Sequence, residues 1–291
     1  MTIDNPLTAA IFGIFGLLLG SFLNVVIYRL PVILKKNWRR DCVAYLREQG
    51  MDLAEEPEAP SFNLLTPRSR CRQCGHAISA LENIPVLSYL VLGGKCRSCR
   101  TPIGIRYPMV EIATAVACAL CGYHWGWSWA GLLWAGFCTA IITLVMIDWD
   151  TMLLPDDIVL PLLWAGLLAS WGQWIATPLS ASVLGAAVGY LSLWSVGALF
   201  KLLFKKEGMG HGDYKLLAAM GAWLGVGAIV PIVLFSSLVG ACVGIALRLN
   251  SRLGQGQPMP YGPFLGGAGL IVLALSPATI NQWIDRLILG G

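Results

Sequence analysis

After Pro108 this 291-residue chain is apolar almost to its end, broken only by short connections that carry most of its remaining charges. Such runs leave few folds open. Overall 56% of residues are hydrophobic and 12% charged, with mean hydropathy +0.68, where soluble domains carry about 25% charged residues. The chain therefore reads as an integral membrane protein. Lipid offers no partner for backbone N–H and C=O groups, so the predicted fold is an all-α polytopic membrane protein. Glycine, proline and charge signals divide it into about eight spans, at 7–30, 109–124, 130–147, 157–175, 183–204, 213–225, 228–247 and 263–281.

The polar residues are unevenly placed. Residues 1–107 hold 13 of the 20 Lys and Arg and 8 of the 16 Asp and Glu. This predicts a first transmembrane helix at 1–30, a small cytoplasmic domain at 31–107 and a seven-helix membrane domain at 108–291. The first apolar run has no basic residue before it and no small-residue cleavage site after it, so it reads as a retained helix rather than a signal peptide. Arg29, Lys35, Lys36, Arg39 and Arg40 follow it, which puts the N-terminus outside and the polar domain inside. The later connections agree: those placed outside lack Lys, Arg, Asp and Glu, whereas those placed inside carry the acidic cluster Asp148 to Asp157, then Lys201 to Glu207, then Arg248 and Arg252. A net charge of +4 without a basic tail gives no warrant for nucleic-acid binding. The shortest predicted span, 213–225, reaches only about 20 Å against the ~30 Å of hydrocarbon, and is expected to line a cavity that admits water.

Two acids stand out. The turn Gly208-Met209-Gly210-His211-Gly212-Asp213 delivers one carboxylate to the start of an apolar helix, with glycines expected to allow positive φ and the close approach of a second chain segment. Asp148 ends the apolar run that begins at Leu132, and is expected to lie deeper than Asp150, Asp156 or Asp157. Asp150 falls about 200° round the helix from Asp148, and Asp156 or Asp157 is suited to cap the helix after Pro155. Two carboxylates at the cytoplasmic ends of two helices suggest an aspartyl dyad. Close like charges cannot both ionise, so such a pair shares one proton and can hydrolyse a peptide bond with water as nucleophile. His211 is a candidate to polarise the site, against the plainer reading of a solvated turn histidine. No Gly-x-Ser-x-Gly turn supports a serine hydrolase.

Cys71-x2-Cys74 and Cys96-x2-Cys99, with 21 residues between the pairs, form the most specific local signal. Four thiolates suit a structural Zn²⁺, and a small polar domain gains stability from one; disulfides are the rival, disfavoured on a cytoplasmic face. His76 is an alternative ligand. Cys118, Cys121, Cys138 and Cys242 are expected to be packing residues. Glu111, one turn into the second span, is a functional candidate, with pairing to Arg106 as the bland alternative. Gly185-x3-Gly189 predicts a close helix contact, and Trp125, Trp127 and Trp129 an interfacial belt.

These pieces together resemble the bacterial type IV prepilin peptidases, which are Gly-x-Gly-Asp membrane aspartyl proteases that also act as N-methyltransferases. The matching segments are Gly20 to Pro31, Glu82-Asn83-Ile84-Pro85, Gly93-Gly94-Lys95-Cys96, Arg106-Tyr107-Pro108, Ile147-Asp148 with Leu153-Leu154-Pro155-Asp156, and Gly208 to Asp213. The resemblance covers nearly the whole chain in order. It implies Asp148 and Asp213 as the catalytic pair, with Gly210, His211 and Gly212 in the active-site turn. Implied substrates are prepilins and pseudopilins, cut after a glycine at the cytoplasmic face of a bacterial inner membrane. The new N-terminal residue, usually Phe, is then methylated from S-adenosylmethionine, with Gly94, Lys95 and Glu111 as candidate methyl-transfer or supporting residues. The alternatives from other classes are an ion-coupled transporter with a regulatory zinc module and a scaffold for pilin assembly.

Overall fold

The computed structural model describes residues 5–51, 62–249 and 259–275, and nearly all of them are helical or lie in short turns. The chain divides into two compact units, Met1–Gly126 and Trp127–Gly291.

The first unit is built on α1 (Asn5–Glu48) and α3 (Arg106–Trp125), with the short α2 (Leu87–Val91) between them. Thr8, Phe12, Gly16, Gly20, Leu23 and Ile27 of α1 are buried and recur every three or four residues, which makes one face. That face can meet α3 closely because it is partly glycine. A Cβ on Gly20 would lie 2.7 Å from Glu111 Cα, and one on Gly16 would lie 2.8 Å from the Thr114 carbonyl oxygen. The predicted span ends at residue 30, yet α1 runs on to Glu48 through Pro31. Proline removes one hydrogen bond there, but the Lys, Arg, Leu and Ala that follow are good helix formers. At about 66 Å the helix is more than twice the hydrocarbon thickness, so its charged second half extends out of the membrane. Arg29 is only 7% exposed. Its guanidinium donates to the carbonyls of Asn63, at 2.9 Å, and Pro67, fastening that segment to α1.

The second unit contains α4 (Trp129–Thr151), α5 (Asp156–Trp171), α6 (Leu179–Phe204), α7 (His211–Leu224), α8 (Ile229–Leu249) and α9 (Gly262–Leu275). Its centre is α7, the weakest predicted span. Every residue from Leu216 to Leu224 is buried. A 14-residue helix falls short of the hydrocarbon thickness, and here neighbouring helices enclose it instead of lipid. Trp223 closes this core, donating its indole N–H to the Leu162 carbonyl at 2.8 Å and packing against Trp134 and Phe137. The predicted glycine contact on α6 is made with α7: a Cβ on Gly185 would lie 2.2 Å from the Gly221 carbonyl oxygen, and one on Gly189 2.8 Å from that of Leu217. Cys118, Cys121 and Cys138 are buried packing residues, but Cys242 is exposed on α8, so its packing role is corrected; its place on the helix is turned away from the core.

Among the described residues, four helices, including α1, α4 and α6, are long and apolar enough to cross a membrane. The chain is a multi-pass membrane protein. Each predicted span has a helix over it, the last one as far as Leu275, with 276–281 outside the described residues.

Candidate active site

Asp148 sits in the last turn of α4, 5% exposed. The helix stops four residues later because Met152 adopts φ +54 and Pro155 cannot continue it. Asp150 and Asp157, by contrast, are exposed. Asp213 sits in the first turn of α7, 8% exposed. The Asp148 carboxylate is close enough for its charge to act on Asp213. The structure therefore brings together the two acids that the sequence singled out.

Glycines in the turn act differently from the sequence expectation. None of Gly208, Gly210 and Gly212 has positive φ. What Gly208 and Gly212 supply is room. A Cβ on Gly212 would lie 2.8 Å from Leu154 Cβ, so the start of α7 rests on the turn that leaves α4; one on Gly208 would lie 2.6 Å from the Phe200 ring. At Gly210 the nearest atom to an added Cβ is Asp213 Oδ2, at 3.7 Å, so glycine there leaves one approach to that carboxylate open. His211 is exposed, its ring edge-on to Tyr214 at 5.6 Å.

Neither Asp156 nor Asp157, the two candidates to cap α5, does so: Pro155 holds the cap position and both acids lie in the first turn. For Asp156 the structure shows another use. Its carboxylate instead pairs with Lys215 Nζ at 2.7 and 2.9 Å. Lys215 is two residues beyond Asp213, so this pair also ties the start of α7 to the start of α5.

One residue of this site had no signal that the sequence reading used. The backbone N–H of Gly262, first residue of α9, donates to Asp148 Oδ2 at 2.9 Å. A helix N-terminus presents free N–H groups and a partial positive charge, both favourable to a carboxylate. A Cβ at this position would lie 2.7 Å from the same oxygen. Two further glycines continue the fit: Gly266 faces Val145 and Ile141 of α4, and Gly269 faces Met220 of α7. Thus α9 lies against both aspartate-bearing helices. Tyr261 anchors its start to α8, its hydroxyl 2.7 Å from Ser236 Oγ and 3.2 Å from Ser237 Oγ. The Gly262-Pro263 pair opening an apolar run was the available clue. Gly262→Ala is expected to lower turnover by roughly 10- to 100-fold with little change in thermal stability, since the clashing carboxylate can rotate away but then loses its bond. Rate and melting temperature measured on the same preparation check this.

The cysteine module belongs to the first unit. The Sγ atoms of Cys71, Cys74, Cys96 and Cys99 all lie within 4.8 Å of one another. A tetrahedral zinc with bonds of about 2.3 Å requires sulfurs about 3.8 Å apart. Cys71 and Cys99 Sγ are 3.8 Å apart. Each pair sits on the same kind of loop, closed by an isolated bridge between Arg70 and Ala77 or between Lys95 and Pro102. In both loops an N–H returns to the first cysteine's carbonyl, Gly75 to Cys71 and Arg100 to Cys96, each at 3.0 Å. Thr101 lies within hydrogen-bond reach of the Cys99 thiol, its Oγ1 at 3.2 Å from Sγ, and lowers the thiol's pKa. The four residues fit a structural zinc. His76 is engaged elsewhere, with Glu82 at 3.2 Å. Gly94 and Lys95 lie at the entry to the second loop and Glu111 on α3, all in this unit.

A helical membrane unit with two buried, interacting aspartates, joined in sequence to a four-cysteine module, defines a membrane protein of the intramembrane acid-pair class. The chain belongs to the type IV leader peptidase family: residues 133–245 match that family, and residues 14–125 match the bacterial peptidase A24 N-terminal domain. The prepilin leader peptidase/N-methyltransferase of Pseudomonas aeruginosa is 46% identical over 258 residues, covering 89% of this chain and 87% of the relative. Those of Aeromonas hydrophila and Burkholderia pseudomallei are also 46% identical, over 93% and 89% of this chain and 91% and 83% of their own length. No solved structure matches the chain.

Proposed function

We propose that the chain is an aspartyl peptidase of the bacterial inner membrane that removes the leader from type IV prepilins and type II secretion pseudopilins, and then N-methylates the new N-terminal residue. The observation that carries this reading is the pair of buried carboxylates, Asp148 and Asp213, in a chain 46% identical to prepilin leader peptidase/N-methyltransferases. The ionised carboxylate takes a proton from a water molecule as the water oxygen attacks the carbonyl of the leader's last glycine. The protonated one donates to the carbonyl oxygen. Collapse of the tetrahedral adduct returns a proton to the amide nitrogen as the C–N bond breaks, freeing the amine. The Gly262 N–H holds Asp148 in orientation throughout.

In this reading the N-terminus is periplasmic, and residues 31–107 form a cytoplasmic domain whose four cysteines hold Zn²⁺ structurally. S-adenosylmethionine, when bound, supplies a methyl group on a sulfonium that leaves as a neutral thioether. Neither aspartate motif has a second copy in the chain, and nothing in the relatives favours a transporter. Incubating the purified protein with a leader-bearing prepilin and labelled methyl donor tests the proposal: a shortened, methylated product is expected, and an intact precursor overturns it.

Replacing Cys71 and Cys74 by Ser removes two of the four ligands. Bound zinc is expected to fall from about one per chain to near zero, since two remaining thiolates cannot complete a tetrahedral site. Cleavage is expected to persist while methylation falls. Metal analysis, cleavage and methyl incorporation on one preparation check this, and full zinc occupancy refutes the ligand set.

A further inference from the structure

The first unit holds a cleft of about 700 Å³, bounded by α1, the cysteine module, α2 and the start of α3. Its volume lies in the range of sites for small molecules and cofactors, ~300–1,000 Å³. Most of its charged groups are already committed to the fold. Arg29 is spent on backbone carbonyls. Glu82 is held at about 2 by the Ser79 N–H, with His76 and Arg97 adding to it, and so is a saturated anion.

Glu111 is different. It is 8% exposed, sits in the second turn of α3 and lines the cleft. Its Oε2 accepts the Val86 N–H at 2.7 Å, and Ser21 stands beside it. A carboxylate has acceptor capacity well beyond one N–H. The bond it does make is unusual, because Val86 has φ +59, a conformation that a β-branched residue rarely adopts, with Leu87 N–H closing a three-residue turn onto the Pro85 carbonyl. Strained backbone of this kind clusters at ligand sites. The turn launches α2, which presents Tyr89 to the cleft, while Tyr28 and Tyr107 line other parts of it. Arg72 lies over the Tyr28 ring at 4.1 Å. Gly94, at φ +67, sits against Tyr89; a Cβ there would lie 3.0 Å from the ring and its hydroxyl, so glycine lets the tyrosine keep its place in the wall.

The cleft thus offers a largely desolvated carboxylate, tyrosine rings and the guanidinium of Arg72. A ligand that matches all three carries a positive centre, a planar ring and a carboxylate. We propose that this cleft is the binding site for S-adenosylmethionine, with Glu111 facing the positive end of the methyl donor and the tyrosines its adenine. The assignment rests on the methyl-transfer reading above.

The test uses the full chain purified in detergent. Equilibrium binding of labelled S-adenosylmethionine is followed by ultraviolet crosslinking and peptide mapping. Label is expected in peptides spanning residues 21–29, 86–92 or 104–111; label confined to other peptides overturns the site. Glu111→Gln keeps an acceptor for Val86 and removes only the charge. It is expected to weaken S-adenosylmethionine at least about tenfold, and S-adenosylhomocysteine, whose sulfur is neutral, by less than about threefold. Unchanged binding of both, or equal loss of both, overturns the role of Glu111. Failure of the unsubstituted protein to bind the donor overturns the methyl-transfer reading along with the cleft, whereas binding with label elsewhere overturns the cleft alone.

Discussion

Asp148→Asn and Asp213→Asn are each expected to lower prepilin cleavage by at least about 10³-fold while the protein still inserts and accumulates. The loss is large because each substitution removes one half of a pair that must hold a single proton, and general acid and base catalysis together contribute on this scale. Accumulation is preserved because asparagine keeps the shape of the side chain, and at position 148 its amide oxygen can still accept the Gly262 N–H. Asp150→Asn is the control: its side chain is exposed, and cleavage should stay within about twofold, the scale of a surface change. Conversion of precursor to mature pilin, followed by gel mobility, gives the rates. Near-normal processing by either Asp148→Asn or Asp213→Asn would remove that residue from the mechanism.

Gly185→Val should have the largest effect on stability. The position of its Cβ is 2.2 Å from the Gly221 carbonyl oxygen and 2.8 Å from the carbon, and these are backbone atoms that cannot rotate away. α6 and α7 must separate, and α7 is the buried centre of its unit and the carrier of Asp213. Overpacking of this kind costs about 1–3 kcal/mol or more, so a clear fall in melting temperature and in accumulation is expected, with cleavage lost as a consequence. Gly136→Ala provides the contrast. Nothing lies within 4 Å of its Cβ position, and alanine is the better helix former by about 1 kcal/mol, so stability should hold or rise. Thermal melting of both variants in one detergent compares them directly, and a Gly185→Val protein as stable as the parent would refute the α6–α7 contact.

Amino-acid order alone determined what depends on near neighbours. Apolar runs located the helices, since a span is a property of consecutive residues and of a solvent that cannot satisfy backbone groups. The end of one run marked Asp148 as the deepest of its acidic cluster. The two Cys-x2-Cys loops were legible because each is closed by contacts between near neighbours in the chain, and the four-residue spacing of Gly185 and Gly189 was legible because it defines a helix face.

Only the tertiary structure decided what depends on residues far apart in the chain. Gly262 meets Asp148 across 114 positions, and Lys215 meets Asp156 across 59. No periodicity records either contact. The glycines of the Gly-x-Gly-Asp turn illustrate the same division. Local reasoning assigned them a backbone conformation, whereas Gly208 and Gly212 are needed because Phe200 and Leu154 occupy the space where their side chains would be. Glycine has two uses, freedom of φ and absence of bulk, and the sequence looks the same for both. The difference lies in which other atoms are packed against it, and that is fixed only when the helices come together.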